Sequence, residues 1–259
     1  MVYMYKELFR FSYVLKNFIR QELTVKYKRS FFGLLWSLLN PILTMSISAI
    51  VFGSIMRFKI EDFAVFIFSG LLPFNYFGGT VQSATMSLIG SEGFIKKIYI
   101  PKILFPVSLV VSNFVNLLFS MTALFFIMLF INIELNLALF FLPLSFFILF
   151  IFTLGISLIF SIVNVFFRDF TYLIGVFLTG LYYLTPILYP LDYIRDTPLY
   201  GIVIYNPITY IIDMFRYPLY LREFPPLEIT LTAIAISVIS FIVGNQVFKK
   251  YEKEIVFYL

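Results

Sequence analysis

Apolar residues fill this chain in six long blocks, and the polar stretches between them are mostly short. The blocks lie at roughly 32–56, 64–88, 104–131, 137–163, 170–189 and 229–248, and none contains Asp, Glu, Lys or Arg. A bilayer core about 30 Å thick takes about 20 helical residues at about 1.5 Å each, so every block is long enough for a transmembrane helix. Several exceed that minimum, which predicts tilt or kinks. Pro41, Pro73, Pro106, Pro143 and Pro186 stand in or beside the blocks, where breaks are expected. Residues 1–31 carry seven cations and lack a short apolar core followed by small residues, so they do not read as a cleaved leader.

Three polar stretches carry patterns of their own. In "YKELFRFSYVLKNFIRQELTVKYKR", Leu8, Phe11, Leu15, Phe18 and Leu23 share one helical face, while Lys6, Arg10, Lys16 and Arg20 lie largely on others. A basic amphipathic helix of this kind is expected in the headgroup layer, as an orientation anchor or as the frame of a docking surface. In "GSEGFIKKIYIPKILFP", Ser91 can cap a short helix with Glu92 in its first turn and Lys96 and Lys97 later. Phe94, Ile95, Ile98 and Tyr99 give that helix an apolar side with no evident cover in the chain. It is expected either to rest on lipid or to insert into a cleft of another protein. A shorter loop, "NVFFRDFTY", carries the adjacent Arg168 and Asp169, which either pair with neighbours or join that contact.

The connection 190–228 differs from all three. Seven of the twelve prolines fall between Pro186 and Pro226, yet the segment is rich in Tyr, Ile, Leu and Phe. Flexible hydrophilic linkers have the opposite composition. Short apolar runs broken by proline suggest short helices or a re-entrant excursion, and irregular backbone at membrane depth survives only against protein or a water-filled cavity. This segment is expected to form and close the outer mouth of a pathway, or else to lie as two helices in the outer headgroups.

Composition supports the membrane reading. Of the 259 residues 61% are hydrophobic and 13% charged, against about a quarter charged in soluble domains. Fourteen of the nineteen Lys and Arg fall on the side that would hold both termini, which makes that side cytoplasmic. With no Cys and no His, disulfides, thiolate or imidazole metal sites and Cys- or His-based catalysis are excluded.

The same absence bears on energy. Transporters driven by ion gradients usually carry ionisable residues within their spans, and these blocks have none. No Gly-Lys pair occurs anywhere, so the familiar phosphate-binding loop is absent. Uphill movement would need energy from a separate subunit. A secondary transporter and an integral-membrane enzyme are rival classes. Asp192, Asp196 and Asp213 are candidate acids for the latter, but none stands in a justifiable motif, and they read better as solvated or ion-paired loop residues.

Several motifs resemble the ABC type-2 export permeases, particularly the polysaccharide and teichoic-acid branch. "KYKRSFFGLLWSLLNPI" resembles the start of their first span, with Lys28, Arg29, Ser30, Gly33, Leu35, Trp36 and Pro41 in order. "PKILFP" (101–106), "FFRD" (166–169) and "YNPITYII" (205–212) follow in the family's order, so the likeness covers nearly the whole chain. Lys26 departs from it where the family more commonly has Arg, which keeps the charge without the bidentate geometry.

The resemblance implies an all-α integral membrane protein with six transmembrane helices per chain, working as a homodimer. Residues 1–31 would be its interface arm, 32–252 the transmembrane domain and 249–259 a cytoplasmic tail. A coupling helix at 91–100 would meet the ATPase through Glu92, Phe94, Ile95, Lys96 and Lys97, with Arg168 and Asp169 from the next loop. Residues 190–228 would form periplasmic gate helices, with Tyr205, Asn206, Pro207 and Tyr210 as gate candidates. Aromatic faces offer stacking surfaces for the C–H faces of sugars, and Phe74, Tyr76, Phe77, Tyr182, Tyr183 and Tyr189 are path candidates; packing and lipid contact are the competing roles, and the adjacent Tyr182 and Tyr183 cannot both face one pore.

The chain itself would be no enzyme and hold no cofactor or metal; ATP and Mg would sit on the partner. Partners would be a second copy, two ABC ATPase subunits, membrane lipids and a lipid-linked polysaccharide, with no nucleic acid. The expected setting is the bacterial inner membrane, multi-pass, with both termini cytoplasmic. The nearest likeness is to O-antigen export permeases; capsule or teichoic-acid export is the alternative cargo, and a small-molecule exporter a weaker one.

Overall fold

The computed structural model describes residues 7–27, 35–56, 60–130 and 136–259, and among them every regular element is helical. In chain order these are α1 (Ser12–Tyr27), α2 (Trp36–Met56), α3 (Ile60–Gly90), α4 (Glu92–Lys97), α5 (Leu104–Phe130), α6 (Leu142–Phe166) and α7 (Phe170–Tyr183). After them come α8 (Leu199–Ile204), α9 (Pro207–Arg216), α10 (Leu227–Tyr251) and α11 (Ile255–Tyr258). Among the described residues four helical runs are long and apolar enough to cross a membrane: Ala64–Lys97, Leu104–Phe130, Leu137–Phe166 and Leu227–Tyr251. The 21-residue α2 carries no charged residue, and α7 is a shorter apolar helix.

Proline decides where several of these helices begin and end. Pro143 sits in the first turn of α6 and Pro106 in that of α5, where a missing N–H costs nothing, so neither kinks a span. Pro41 and Pro73 lie inside α2 and α3. Pro186 shortens a predicted element: the apolar block runs to 189, but α7 stops at Tyr183. Proline disfavours helix for the residue before it, and Thr185 turns its hydroxyl onto the Leu181 carbonyl, 2.6 Å away.

α3 is the axle of the fold. It packs against α2, α5, α6, α7 and α9, and although least hydropathic of the four long runs it is the most buried. Burial here follows position rather than hydropathy, because every face but one meets another helix. The closest pairing lies elsewhere, between α6 and α10, where Gly155 faces Ser240 and Gly244. A Cβ added at Gly155 would collide with the Ser240 backbone, and one at Gly244 with the Gly155 carbonyl. Small residues at such a crossing let two backbones touch, the main source of helix adhesion where lipid is as apolar as leucine.

Two buried clusters divide the interior. The larger joins α3, α5, α6 and α9 in the body; the smaller gathers Leu88, Ile95, Ile103, Phe105, Leu158 and Phe248 at the basic end of the molecule. Leu8, Leu15 and Phe18 of the amino-terminal arm pack onto this second cluster, so the arm's apolar face meets protein, with Phe18 against the rings of Phe105 (5.4 Å) and Phe94 (6.1 Å). Arg10, Lys16 and Arg20 point outward as their spacing predicts. The carboxyl terminus folds back there too: Ile255 is buried, and Tyr258 meets the ring of Phe166 at 4.6 Å.

Candidate functional site

Three regions carry the residues singled out above. The first is the basic end, where α4 follows α3 after the single residue Ser91. Ser91 takes the capping position, but its side chain makes no capping bond; its carbonyl instead accepts from the Phe94 and Ile95 amides at 2.9 and 3.0 Å. Lys96 donates to the Glu92 carboxylate at 2.6 Å, and both are solvent-facing. That hydrogen bond and charge hold Glu92 below the usual carboxylate range, and Arg168 adds to the effect from the next loop. Arg168 and Asp169 are exposed, so the loop and α4 present charge together.

Only part of the helix's apolar side is open. Ile95 is buried in the basic-end cluster, contrary to the expectation that nothing in the chain covers it, because α3, α5 and α10 converge there. Phe94 is 47% exposed, and Ile98 and Tyr99 stand well out of the fold. α4 is therefore rooted by one side chain and presents its others. Close by, Lys102 donates to the Glu252 carbonyl at 2.7 Å; burial lowers the Lys102 pKa and raises that of Glu252.

The second region is the proline-rich end. Tyr205 is 85% exposed, whereas Asn206 is a joint: its Oδ1 accepts from the Ile208 amide at 3.0 Å, and its Nδ2 donates to Thr185 Oγ1 at 2.9 Å. Pro207 opens α9, and Tyr210 packs half-buried on the main cluster. These contacts fix α9 to the end of α7, while the Ser145 hydroxyl of α6 reaches the Met214 carbonyl at 2.7 Å. Arg216 ends α9 only 7% exposed, its guanidinium 4.3 Å from the Phe66 ring centre and its Nη2 3.4 Å from the Ile187 carbonyl. By its place in the chain it belongs with the five Lys and Arg outside the terminal side, yet it is buried. The cue for its burial is positional: it follows a run of buried residues on a strongly amphipathic helix.

The third region is the exposed side of α3. Phe74, Tyr76 and Phe77 are buried: Phe77 stacks on Phe152 at 5.2 Å, the Tyr76 hydroxyl donates to the Val110 carbonyl at 3.4 Å, and Phe74 meets Tyr182 edge-on at 5.4 Å. Tyr183 points outward, and the Tyr189 hydroxyl donates to its carbonyl at 2.9 Å. The exposed side instead reads Asn75, Gly79, Ser83, Met86 and Gly90, a run at three- and four-residue spacing with no charge. It borders three cavities. One of about 460 Å³ opens between α2, α3 and α5; one of about 410 Å³ lies toward Tyr182 and Tyr183; one of about 300 Å³ reaches the basic end beside Phe18, Glu22 and Phe94. A relay running from buried Asn164 to the partly exposed Thr171 and Gln82 pins α7 beside this face, with Asn164 Nδ2 3.0 Å from the Thr85 carbonyl and Thr171 Oγ1 2.8 Å from Asn164 Oδ1.

Trp36 begins α2 and Pro41 lines the central cavity, while Lys28, Arg29, Ser30 and Gly33 lie outside the described residues. No group of three or more metal-ligating side chains occurs among the described residues.

These features define a multi-pass membrane protein with a short, partly exposed helix at its basic end and a largely uncharged groove along α3. The ABC-2 type transporter profile matches residues 13–220, and the chain belongs to that family. It is similar to the O-antigen export system permease protein RfbA of Myxococcus xanthus, 28% identical over 255 residues and 98% of each chain. Two RfbA permeases of Klebsiella pneumoniae are 31% and 30% identical over 197 residues, 76% of each chain. The chain is thus a non-catalytic permease subunit, and its family implies an ATPase partner.

Proposed function

We propose that this chain is the membrane half of an ATP-driven exporter that carries a lipid-linked polysaccharide of O-antigen type out of the cytoplasm, across the bacterial inner membrane. The observation that carries the reading is the full-length similarity to an O-antigen export permease. Two copies form the pathway, each with six spans and both termini in the cytoplasm, and two ATPase subunits bind beneath them. α4 is the coupling helix, with Arg168 and Asp169 beside it. Closure of the ATPases on ATP pushes α4, and buried Ile95 passes the displacement to α3 and α5 through Leu88, Ile103 and Phe105. α8, α9 and the turn after them form the outer gate. Apart from Glu22 at its basic end, the groove along α3 is lined by uncharged residues, which suits a polymer that must keep moving, since its body offers no ion pair to hold it.

The test is complementation. The chain and its partner ATPase are expressed in a host that makes a lipid-linked O-antigen but has lost its own exporter, and surface glycan is measured with antibody. Surface display that disappears when the ATPase is inactivated is the expected result. Glycan that stays inside despite an assembled complex overturns the proposal.

A further inference from the structure

The central cavity between α2, α3 and α5 holds an unusual concentration of amides. Four of the chain's ten asparagines line it: Asn40, Asn75, Asn113 and Asn116. Asparagines inside apolar helices are costly unless something meets their hydrogen bonds. Here much of that capacity is unused within the described residues. The Asn116 Oδ1 and the Thr80 hydroxyl are buried without a partner, and Thr80 is fully enclosed on the cavity wall.

The chemistry of the wall narrows the occupant. Its described residues include no carboxylate for a cation and no Lys or Arg for an anion. An acyl chain would leave Asn116 Oδ1 and the Thr80 hydroxyl unmet. Amides both donate and accept, which is what neighbouring hydroxyls on a neutral polyol require. A volume of about 460 Å³ falls within the range of small-ligand pockets. The cavity is also placed on a track: Asn75 is shared with the aromatic cavity of Tyr182 and Tyr183, and Ser83 with the one at the basic end.

We propose that this cavity is a sugar subsite, where hydroxyls of a neutral saccharide segment replace water on Asn40, Asn75, Asn113 and Asn116. The proposal rests on the polysaccharide-export reading but adds a specific place of contact. Released again at each step, the segment would move on toward the aromatic cavity, trading amide hydrogen bonds for ring stacking.

Because the chain has no cysteine, single thiols report cleanly. In proteoliposomes of the complex with its ATPase, Asn75→Cys should react with a membrane-impermeant methanethiosulfonate, and lipid-facing Phe126→Cys should not. Maltoheptaose, as a neutral probe, should slow labelling at Asn75→Cys by about threefold or more, as expected when a pocket of ordinary size is occupied. Unchanged labelling with the saccharide overturns the subsite, as does a thiol that never labels because a second copy covers it. In cells, Asn113→Leu with Asn116→Leu should lower surface glycan about tenfold, and Asn→Ser at both should restore most of it. If the wild type exports no glycan, the exporter reading fails. If the wild type exports and the leucine pair exports equally, the subsite alone fails. Should the leucine pair fail to insert, the thiol protection decides.

Discussion

The α6–α10 seam and the groove between α2, α3 and α5 are cut from similarly apolar helices, and they finish in opposite states. At the seam Gly155, Ser240 and Gly244 remove side chains until backbones touch. At the groove asparagine, threonine and serine hold helices apart around open space. Glycine therefore means different things in the two places. Gly155 and Gly244 have no room for a methyl, whereas Gly79, on the groove, has nothing within 4 Å of where its Cβ would be. One region is closed by backbone contact and the other keeps open volume, and hydropathy alone does not separate them.

The largest expected effect tests the fixed region. Gly155→Leu forces backbone apart where no flexible side chain can yield, and should cost about 3 kcal/mol or more, enough to lose most folded protein in detergent. Gly79→Ala should change the melting temperature hardly at all. If the two variants melt alike, the contrast between seam and groove is false.

A second break concerns Arg216, the charge built into the body. Arg216→Met keeps the volume but loses the contact with the Phe66 ring and the Ile187 carbonyl, and leaves Asp213 one turn away without its cation. A loss of about 2 kcal/mol in thermal unfolding is expected, with Arg216→Lys recovering little, because a flat guanidinium covers a ring better than an ammonium. The exposed Arg195, paired with Asp192 at 2.9 Å on the surface, should tolerate methionine within about 0.5 kcal/mol.

Much of this contrast was legible in the sequence, but unevenly. The long apolar blocks translate into helices within a few residues, except where Pro186 ends α7 early. The short helix α4 was readable because Glu92, Lys96 and Lys97 fall where a helix dipole wants them. The groove was less so. Phe74, Tyr76 and Phe77 attract attention as stacking surfaces, yet they face the interior, and the exposed run is the one through Asn75, Gly79 and Ser83. Its spacing could be counted in advance; which side of α3 lacks a neighbour could not, because five other helices decide that. Gly155 and Gly244 show the same limit, since their meaning arises only at the crossing.

A third prediction places α4 in the comparison, as an element rooted like the seam but presented like the groove. Phe94→Ala with Lys96→Glu and Lys97→Glu should leave insertion intact and cost melting only the ring contact with Phe18, about 1 kcal/mol, because the Lys96–Glu92 pair is solvent-facing and such pairs contribute little. Co-purification with the ATPase and coupled export should fall about tenfold, the loss of a packed aromatic anchor and its charges. Retained binding and transport would remove α4 from the coupling path. Ile95→Ala is the complement: it should destabilise the fold by about 2 kcal/mol, because its side chain is buried in the chain's own cluster.

The smallest expected effect is a titration. The Lys96 hydrogen bond and charge depress the Glu92 pKa, so their contribution to α4 is complete above the ordinary glutamate value and fades only as pH falls through the lowered one. Between pH 7 and about pH 5 the helix should therefore not change on this account. A carbon-13 NMR titration of the Glu92 carboxyl in detergent should give a midpoint below that of a free glutamate, and Lys96→Met should move it back upward. Salt should shrink the difference, because both groups face water. A midpoint unmoved by Lys96→Met would mean the pair does not persist in solution, leaving α4 held by Ile95 and its backbone turns, with both lysines available to a partner.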